Sequence, residues 1–227
     1  MDHTIRGTVM QSVEITLNQG EAVYTEAGGM SWMTANISMD SGMKGGLMGA
    51  FKRAVAGESL FVTTYRCDAG TGFATFTTET PGKIVPMELA EGQSILCQRD
   101  AFMVAQEGVT IEIHMHKKLG AGLFGGQGFF LQKVTGPGLA FFELAGEIVE
   151  YNLQAGQVLK VDPGHVALMD PSVSFDISMV PGIKNIFLAG EGLFLAQVAG
   201  PGRVWLQSMP LSRLAQRLIP FLPKSSG

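Results

Sequence analysis

The chain has 227 residues, of which 46% are hydrophobic and only 16% are charged, and its formal net charge is −4 at pH 7. Globular chains average about 25% charged residues, so we expect other subunits or a partner to cover part of the apolar surface. The acidic balance argues against DNA binding and disfavours RNA. The N-terminal sequence MDHTIRGTVM shows no apolar signal segment, and the charge-free run at 119–132 is too short and glycine-rich to span a bilayer. We therefore expect a cytoplasmic protein, with Cys67 and Cys97 reduced.

Four landmarks recur three times in the same order along the chain. A segment of the form Leu-x-x-Gly begins at Leu17, Leu89 and Leu153. An apolar run begins at Met30, Phe102 and Val166. An alternating strand ends at Met39, Met115 and Met179. A Gly-x-Gly turn begins at Gly70, Gly136 and Gly200. Self-similarity of this kind indicates one β unit written three times.

The repeat predicts an all-β fold in which three units share a core. We place the units at about 5–72, 73–138 and 139–209, within a single domain that covers 1–209. Extra residues in the first copy, at 45–57, predict a short helix. The last copy lacks its second hairpin strand, so we expect the segment at 204–207 to pair antiparallel with the segment at 9–15 and close the body.

The C-terminal segment, 210–227, differs from the rest of the chain. Leu211, Leu214 and Leu218 follow helical spacing, while Arg213 and Arg217 fall on another face. This pattern predicts a short amphipathic helix before a disordered tail. The helix would dock on the protein's own body or a neighbouring subunit, or else serve as a basic membrane anchor.

His114 and His116 form the most tempting metal site, because alternate residues of a strand point to one face. Gly108 precedes the pair as in the cupin metal motif, but Gly120 and Ala121 occupy the places where that motif needs a glutamate. A cupin-like metal-dependent enzyme at His114 and His116 is therefore an alternative, and solvated histidines are the leading interpretation.

No other motif predicts chemistry. The Gly-x-Gly-x-x-Gly pattern at 120–125 precedes a strand rather than the helix that dinucleotide binding needs. Glu143, Glu147 and Glu150 are typical of the charged outer face of a hairpin. We accordingly assign no catalytic residue, no cofactor-binding residue, no metal ligand and no cofactor.

Glycine-rich apolar stretches occupy corresponding places in the first two copies, at 45–51 and 120–130, and 185–194 occupies that place in the third. They pack as turns on the core, or else they form an apolar rim that meets a neighbouring subunit, a partner or a membrane surface.

The segments LxxGE, GGMSWM, NISM, GGLMGAFKR and GESLF, together with two Gly-Pro-Gly turns, resemble a known family from about residue 5 to 211. It comprises bacterial and archaeal relatives of the yeast mitochondrial-biogenesis (altered inheritance of mitochondria) protein. The resemblance implies a fold like the tryptophan RNA-binding attenuation protein, with short double-stranded β-helix units, and a homotrimer. It also implies a peripheral place at the inner membrane, and it supplies no catalytic residues.

These observations favour a non-enzymatic oligomeric β scaffold that binds a partner protein or a peripheral membrane surface. A ring that binds RNA or a small ligand is the first alternative. However, an RNA-binding ring needs basic residues at equivalent positions, and those at 52–53, 117–118 and 184 do not share an offset.

Overall fold

The computed structural model describes residues 1–26, 29–41, 62–117, 128–179, 194–218 and 221. In this part of the chain the protein is all-β apart from one short α-helix and two 3₁₀ turns. The predicted helix at 45–57 and most of the glycine-rich stretches lie outside the described residues.

The strands fall into three consecutive sets of six, preceded by β1 (His3–Arg6). Set 1 comprises β2 (Ser12–Asn18), β3 (Ala22–Glu26), β4 (Met30–Met33), β5 (Ile37–Asp40), β6 (Val62–Cys67) and β7 (Thr71–Thr77). Set 2 comprises β8 (Gly82–Leu89), β9 (Ser94–Gln98), β10 (Phe102–Gln106), β11 (Thr110–Lys117), β12 (Phe129–Thr135) and β13 (Gly138–Ala145). Set 3 comprises β14 (Ile148–Leu153), β15 (Val158–Val161), β16 (Val166–Met169), β17 (Ser174–Met179), β18 (Phe194–Ala199) and β19 (Gly202–Gln207).

Strand pairing within each set follows one scheme, and every pair is antiparallel. The sixth strand lies between the first and the third, as in β2–β7–β4, β8–β13–β10 and β14–β19–β16. The fifth strand lies between the second and the fourth, as in β3–β6–β5, β9–β12–β11 and β15–β18–β17. Each set therefore contributes two three-stranded half-sheets.

Neighbouring sets are connected by two short antiparallel contacts, which we call joints. In the first joint β3 pairs with β10, and Tyr24 lies opposite Ala105. In the second joint β9 pairs with β16, and Leu96 lies opposite Met169. The joints merge half-sheets into two six-stranded sheets, leaving a four-stranded sheet that includes β1 at one end and a three-stranded sheet at the other.

Alternation of apolar and polar residues explains why these segments form half-buried strands. In β2, for example, Val13, Ile15 and Leu17 are fully buried, while the residues between them are partly exposed. Between the first and second strand of each set the chain turns at Gly20, Gly92 or Gly156, all with φ between 75° and 87°. Left-handed backbone of this kind favours glycine.

The two Gly-Pro-Gly turns join the fifth and sixth strands of sets 2 and 3, and both contain a cis peptide bond before the proline. A Cβ on Gly200 would lie 2.5 Å from the carbonyl oxygen of Gln154 and 2.6 Å from that of Leu153. Gly136 is crowded in the same way by the carbonyl oxygens of Leu89 and Ala90. The repeated glycine is therefore required by the close approach of two backbone segments.

The predicted pairing of the two chain ends is wrong. Strand β19 lies between β14 and β16, and β2 lies between β1 and β7, so neither strand has an edge open to the other. The strand after each Gly-x-Gly turn pairs instead with the first strand of its own set. Consequently the sets span 12–77, 82–145 and 148–207, and the predicted unit boundaries fall inside them.

Helix α1 (Leu211–Leu218) follows β19, and Arg213 forms an ion pair with Asp162 beside the 3₁₀ turn Pro163–His165. No helix in the described part of the chain is long and apolar enough to cross a membrane.

Candidate functional site

Two features stand out on the described surface: the open edges at the two ends of the strand array, and a cleft between sets 2 and 3. At the two ends of the array, β4 and β15 are open on the side that the joints cover in the other sets. Strands β10 and β16, which hold the place of β4 in the later sets, are almost wholly buried, whereas β4 is partly or fully exposed along its length.

Equivalent residues show the size of this difference. Trp32 of β4 is 51% exposed, while Val104 and Leu168, at the same place in β10 and β16, are 0% exposed. The same holds at the other end, where Val158 of β15 is 51% exposed and β3 and β9 are largely buried. The array thus ends in two strands whose counterparts are covered wherever another set follows.

The cleft lies beside the second joint, where the ends of β9, β13 and β19 meet α1. Its volume is about 460 Å³ when the part open to solvent is included, and it is lined by Glu79, Thr80, Gln98, Asp100, Glu143, Ala145, Gln207, Leu211 and Ser212. Three of these side chains are carboxylic acids, and none of the described residues that line the cleft is basic.

Gln207 organises the floor of the cleft. Its Oε1 accepts a hydrogen bond from the backbone N–H of Ala145 at 3.0 Å, which fixes the orientation of its amide. Its Nε2 therefore faces the other way and donates to Gln98 Oε1 at 3.2 Å and to the carbonyl oxygen of Gly164 at 3.0 Å. Both glutamines are more than nine-tenths buried, so this network connects sets 2 and 3 in a shielded environment.

Glu143, near the end of β13, supplies the most perturbed carboxyl group of the cleft. Its Oε2 accepts a hydrogen bond from the backbone N–H of Glu79 at 2.8 Å, which anchors the turn after β7. The pKa of Glu143 is raised to about 7, mainly by burial; the nearby carboxylates of Glu79 and Asp100 contribute to this rise, and the hydrogen bond from the Glu79 N–H opposes it.

Asp100 lies at the rim of the cleft, on the 3₁₀ turn Arg99–Ala101. Partial shielding from water raises the pKa of its carboxyl, and the neighbouring Arg99 opposes that effect. In the described part of the chain, neither Glu79, Asp100 nor Glu143 belongs to an ion pair. The cleft therefore brings three carboxyl groups together, with Arg99 as the neighbouring positive charge that acts on Asp100.

The family model described as "Mitochondrial biogenesis AIM24" matches residues 3–209. The chain belongs to this family. An uncharacterised protein of Streptococcus pyogenes serotype M6 is 32% identical over 240 aligned positions, which cover 100% of this chain and 95% of that protein.

A crystal structure of another Streptococcus pyogenes protein has the same fold as this AIM24 family member. The two structures superpose with a TM-score of 0.77 at 27% identity, covering 97% of this chain and 99% of the other. Neither relative's description states an activity or a ligand.

The structure places the sequence candidates of this AIM24 chain apart from the cleft, except for Glu143. His114 is exposed and lies at a β-bulge between Ile113 and Met115, and the side chain of His116 lies outside the described residues. Among described residues, no three His, Cys, Asp or Glu side chains are grouped so that they could hold a metal ion. Glu147 forms a surface ion pair with Lys83 at 3.9 Å, and Glu150 is exposed.

Sequence reasoning missed Gln98, Asp100 and Gln207, and it treated Glu143 as part of an outer face. Sequence alignment within the chain offered one signal, because Gln207 and Glu143 hold the same place, seven residues after Gly200 and Gly136. A shielded polar side chain at this place in both sets indicates that the position has a role at the boundary between neighbouring units.

Proposed function

We propose that this AIM24 family protein is a non-enzymatic scaffold whose three strand sets are copies of one double-stranded β-helix unit, similar to that of the attenuation protein. In this proposal the chain assembles with copies of itself into a closed trimer of nine units and presents docking surfaces to a partner protein. The exposed β4 and β15 edges carry the proposal.

The internal joints supply a template for the contact between chains. Tyr24 and Leu96 hold the place that Lys160 occupies in β15, and Ala105 and Met169 hold the place of Met33 in β4. Copying the joint register therefore pairs Met33 of one chain with Lys160 of the next. The following pair would be Trp32 with Val161, in line with Leu168 opposite Cys97.

Energetics favour covering these edges. An open strand edge presents unpaired backbone groups and is commonly protected in proteins that stay monomeric. Here the edges bear Trp32 and Val158, each 51% exposed, and burial of the exposed half of such a side chain contributes roughly 1 kcal/mol. A trimer would gain three such contacts at once.

Helix α1 gives the assembled body a further apolar contact surface. Leu211 and Leu218 are 42% and 52% exposed, and Arg217 lies near its C-terminal end. In our proposal this helix docks against a protein partner or at the surface of a membrane, which would place the protein in the cytoplasm and peripheral to the inner membrane.

Native mass spectrometry on the full chain tests the proposal. We expect a species of three times 24.2 kDa. Trp32→Glu would place a charge in the contact and should release folded monomers, while Val149→Glu, a matched change at an exposed residue of β14, should leave the trimer intact. A wild-type monomer at micromolar concentration, or equal effects of the two substitutions, would contradict the scaffold.

A further inference from the structure

We infer that the open side of β14, away from β19, binds an extended segment of a partner polypeptide, which adds a strand to the sheet in the way that β1 covers β2. This docking surface deepens the proposed scaffold function, on which it rests for the presence of a partner. Three observations support it: the equivalence of β2, β8 and β14, the protection of the first two strands, and the exposed apolar side chains of the third.

Strands β2, β8 and β14 open the three sets, and the same place in each, three residues before the leucine of the Leu-x-x-Gly segment, is held by Glu14, Pro86 and Glu150. In β2 the backbone N–H of Thr16 donates to the carbonyl oxygen of Asp2 at 2.9 Å, on the side of β1. Backbone groups two residues apart in a strand face the same side, so the N–H of Glu14 faces β1 as well. By equivalence, the N–H groups of Glu150 and Asn152 face the open side of β14.

The first strands of sets 1 and 2 are protected on this side, and β14 is not. Strand β1 pairs with β2 along four residues. In β8, the side chain of Gln11 accepts the Ile84 N–H at 2.7 Å, and Pro86 has no N–H to offer. In the described part of the chain no strand pairs with the open side of β14, whose sequence IVEYNL contains neither proline nor lysine and whose register with β19 has no bulge. Edge strands commonly carry such protections, so β14 is suited to accept a further strand.

The side chains of β14 indicate what kind of strand fits. Val149 and Tyr151 are 47% and 42% exposed, whereas their equivalents in β2, Val13 and Ile15, are fully buried. Ile5 of β1 lies opposite Val13 and packs against the same core. A segment in the corresponding place on β14 would set an apolar side chain opposite Val149, as cross-strand pairs prefer. The segment is therefore apolar at alternate positions.

Charge favours a partner segment over a second copy of β14. Arg6 of β1 forms an ion pair with Glu14 at 3.2 Å, and Glu150 holds the place of Glu14. Arg203 is the positive group that acts on Glu150 from the same sheet, but its guanidinium is bonded to Asp170 at 3.1 Å. A basic residue of the segment can therefore pair with Glu150. Two β14 strands paired antiparallel about their centres would instead bring like charges close together.

The probe is the acetylated and amidated peptide MDHTIRGT, which copies residues 1–8 and therefore β1. Its binding to the full-length protein would be followed through the backbone amide signals of Glu150 and Asn152 in ¹H–¹⁵N spectra. We expect saturable shifts at millimolar peptide and slower hydrogen exchange at both amides, because each would gain an acceptor. A peptide with Thr4→Pro should not bind, since the N–H that faces the strand is removed.

Two proline variants of the protein locate the site. Glu150→Pro gives β14 the residue that β8 carries at the same place, so the protein should fold, and binding followed at Asn152 should weaken at least tenfold. Glu91→Pro makes the same chemical change in the exposed turn after β8, where Gln93 N–H donates to the Ala90 carbonyl. A proline suits the second position of such a turn, so this control should leave binding unchanged.

Three results would overturn the site on β14: no saturable shift at millimolar peptide, equal weakening by the two proline variants, or shifts confined to β2, where the peptide would displace β1. Equal binding of a peptide with Arg6→Glu would overturn the assignment of a basic residue. Native mass spectra of the same samples distinguish this docking surface from the assembly. An intact trimer that does not bind the peptide contradicts the docking surface alone, and a monomer that binds it contradicts the assembly alone.

Discussion

Gln207 Nε2 lies 3.2 Å from Gln98 Oε1, and this hydrogen bond between side chains 109 residues apart links the last strand of set 3 to the second strand of set 2. The same Gln207 amide also satisfies the backbone of Ala145 and Gly164. One side chain thus meets three buried polar groups at the boundary between two sets.

Gln207→Leu should destabilise the protein, because it preserves volume approximately and leaves the Ala145 N–H and the Gly164 carbonyl without their partner. Each unsatisfied buried group costs about 1–3 kcal/mol, so we expect a loss of about 2–5 kcal/mol in the free energy of unfolding. Urea denaturation measures it. Gln154→Leu, at an exposed turn, is the control, and an equal loss in both variants would show that the network does not stabilise the fold.

Gly200→Ala should be among the most damaging single-methyl additions in the chain. The added Cβ would lie 2.5 Å from Gln154 O, a backbone atom that cannot move without shifting the turn after β14. We expect a loss of about 3 kcal/mol or more. The comparison variant is Gly92→Ala, where φ is +75° but no atom lies near the added Cβ. That change should cost only about 1–2 kcal/mol of backbone strain. Thermal melts in which Gly92→Ala is the more harmful would refute the steric explanation.

The pH dependence of the free energy of unfolding should reveal the raised pKa of Glu143. Its pKa is raised from 4.5 to about 7 in the folded state, so between these values the folded protein holds a proton that the unfolded chain releases. Stability from this group is fully present below pH 4.5 and is lost as the pH rises through 7. Glu143→Gln should therefore match the wild type near pH 4.5 and be more stable at pH 8, by on the order of 2 kcal/mol.

Urea unfolding at several pH values and one protein concentration checks this prediction. Taking the difference between variant and wild type cancels the other titrating groups. A difference that does not change with pH would show that the Glu143 carboxyl titrates normally in the folded protein.

Cysteines placed at the open edges should cross-link neighbouring chains. If the contact copies the register of the internal joints, Met33→Cys and Lys160→Cys bring two thiols directly opposite each other, within the Cα separation of about 4.4–6.8 Å that disulfides need. Mild oxidation of the double variant should yield covalent dimers and trimers on non-reducing gels. Each single variant should stay monomeric on the same gel, since native Cys67 and Cys97 are buried. A double variant that yields no cross-linked species would argue against this register.

The features that could be predicted from the sequence are those determined by residues close together in the chain. The three Gly-x-Gly turns and the alternating strands are local patterns, and they gave the all-β class and the positions of Met30, Phe102 and Val166 at the starts of β4, β10 and β16. Strand partners are not local. The sixth strand of each set pairs with the first across 49 to 65 residues (Leu89 with Gly138, Ser12 with Thr77), so the expected pairing of the chain ends was wrong.

The cleft could not be predicted from the sequence for the same reason. Asp100, Glu143 and Gln207 come from separate parts of the chain. The pairing of β10 with β13 brings Asp100 near Glu143, and the joint between β9 and β16 brings set 3, which carries Gln207, against set 2. From the sequence alone, Glu143 is interpreted as one more charged residue on the outer face of a hairpin. Its partly buried surroundings, and hence its raised pKa, follow from packing that no local pattern encodes.

Chemical labelling of Cys97 can report on opening of the second joint. Its thiol is fully buried in β9, opposite Leu168 of β16, and burial raises its pKa, so it is inert while the two strands stay paired. Alkylating reagents reach such a sulfur only through transient opening. The labelling rate of Cys97, compared with that of Cys67 at the end of β6, would therefore measure how often neighbouring sets separate in the native protein.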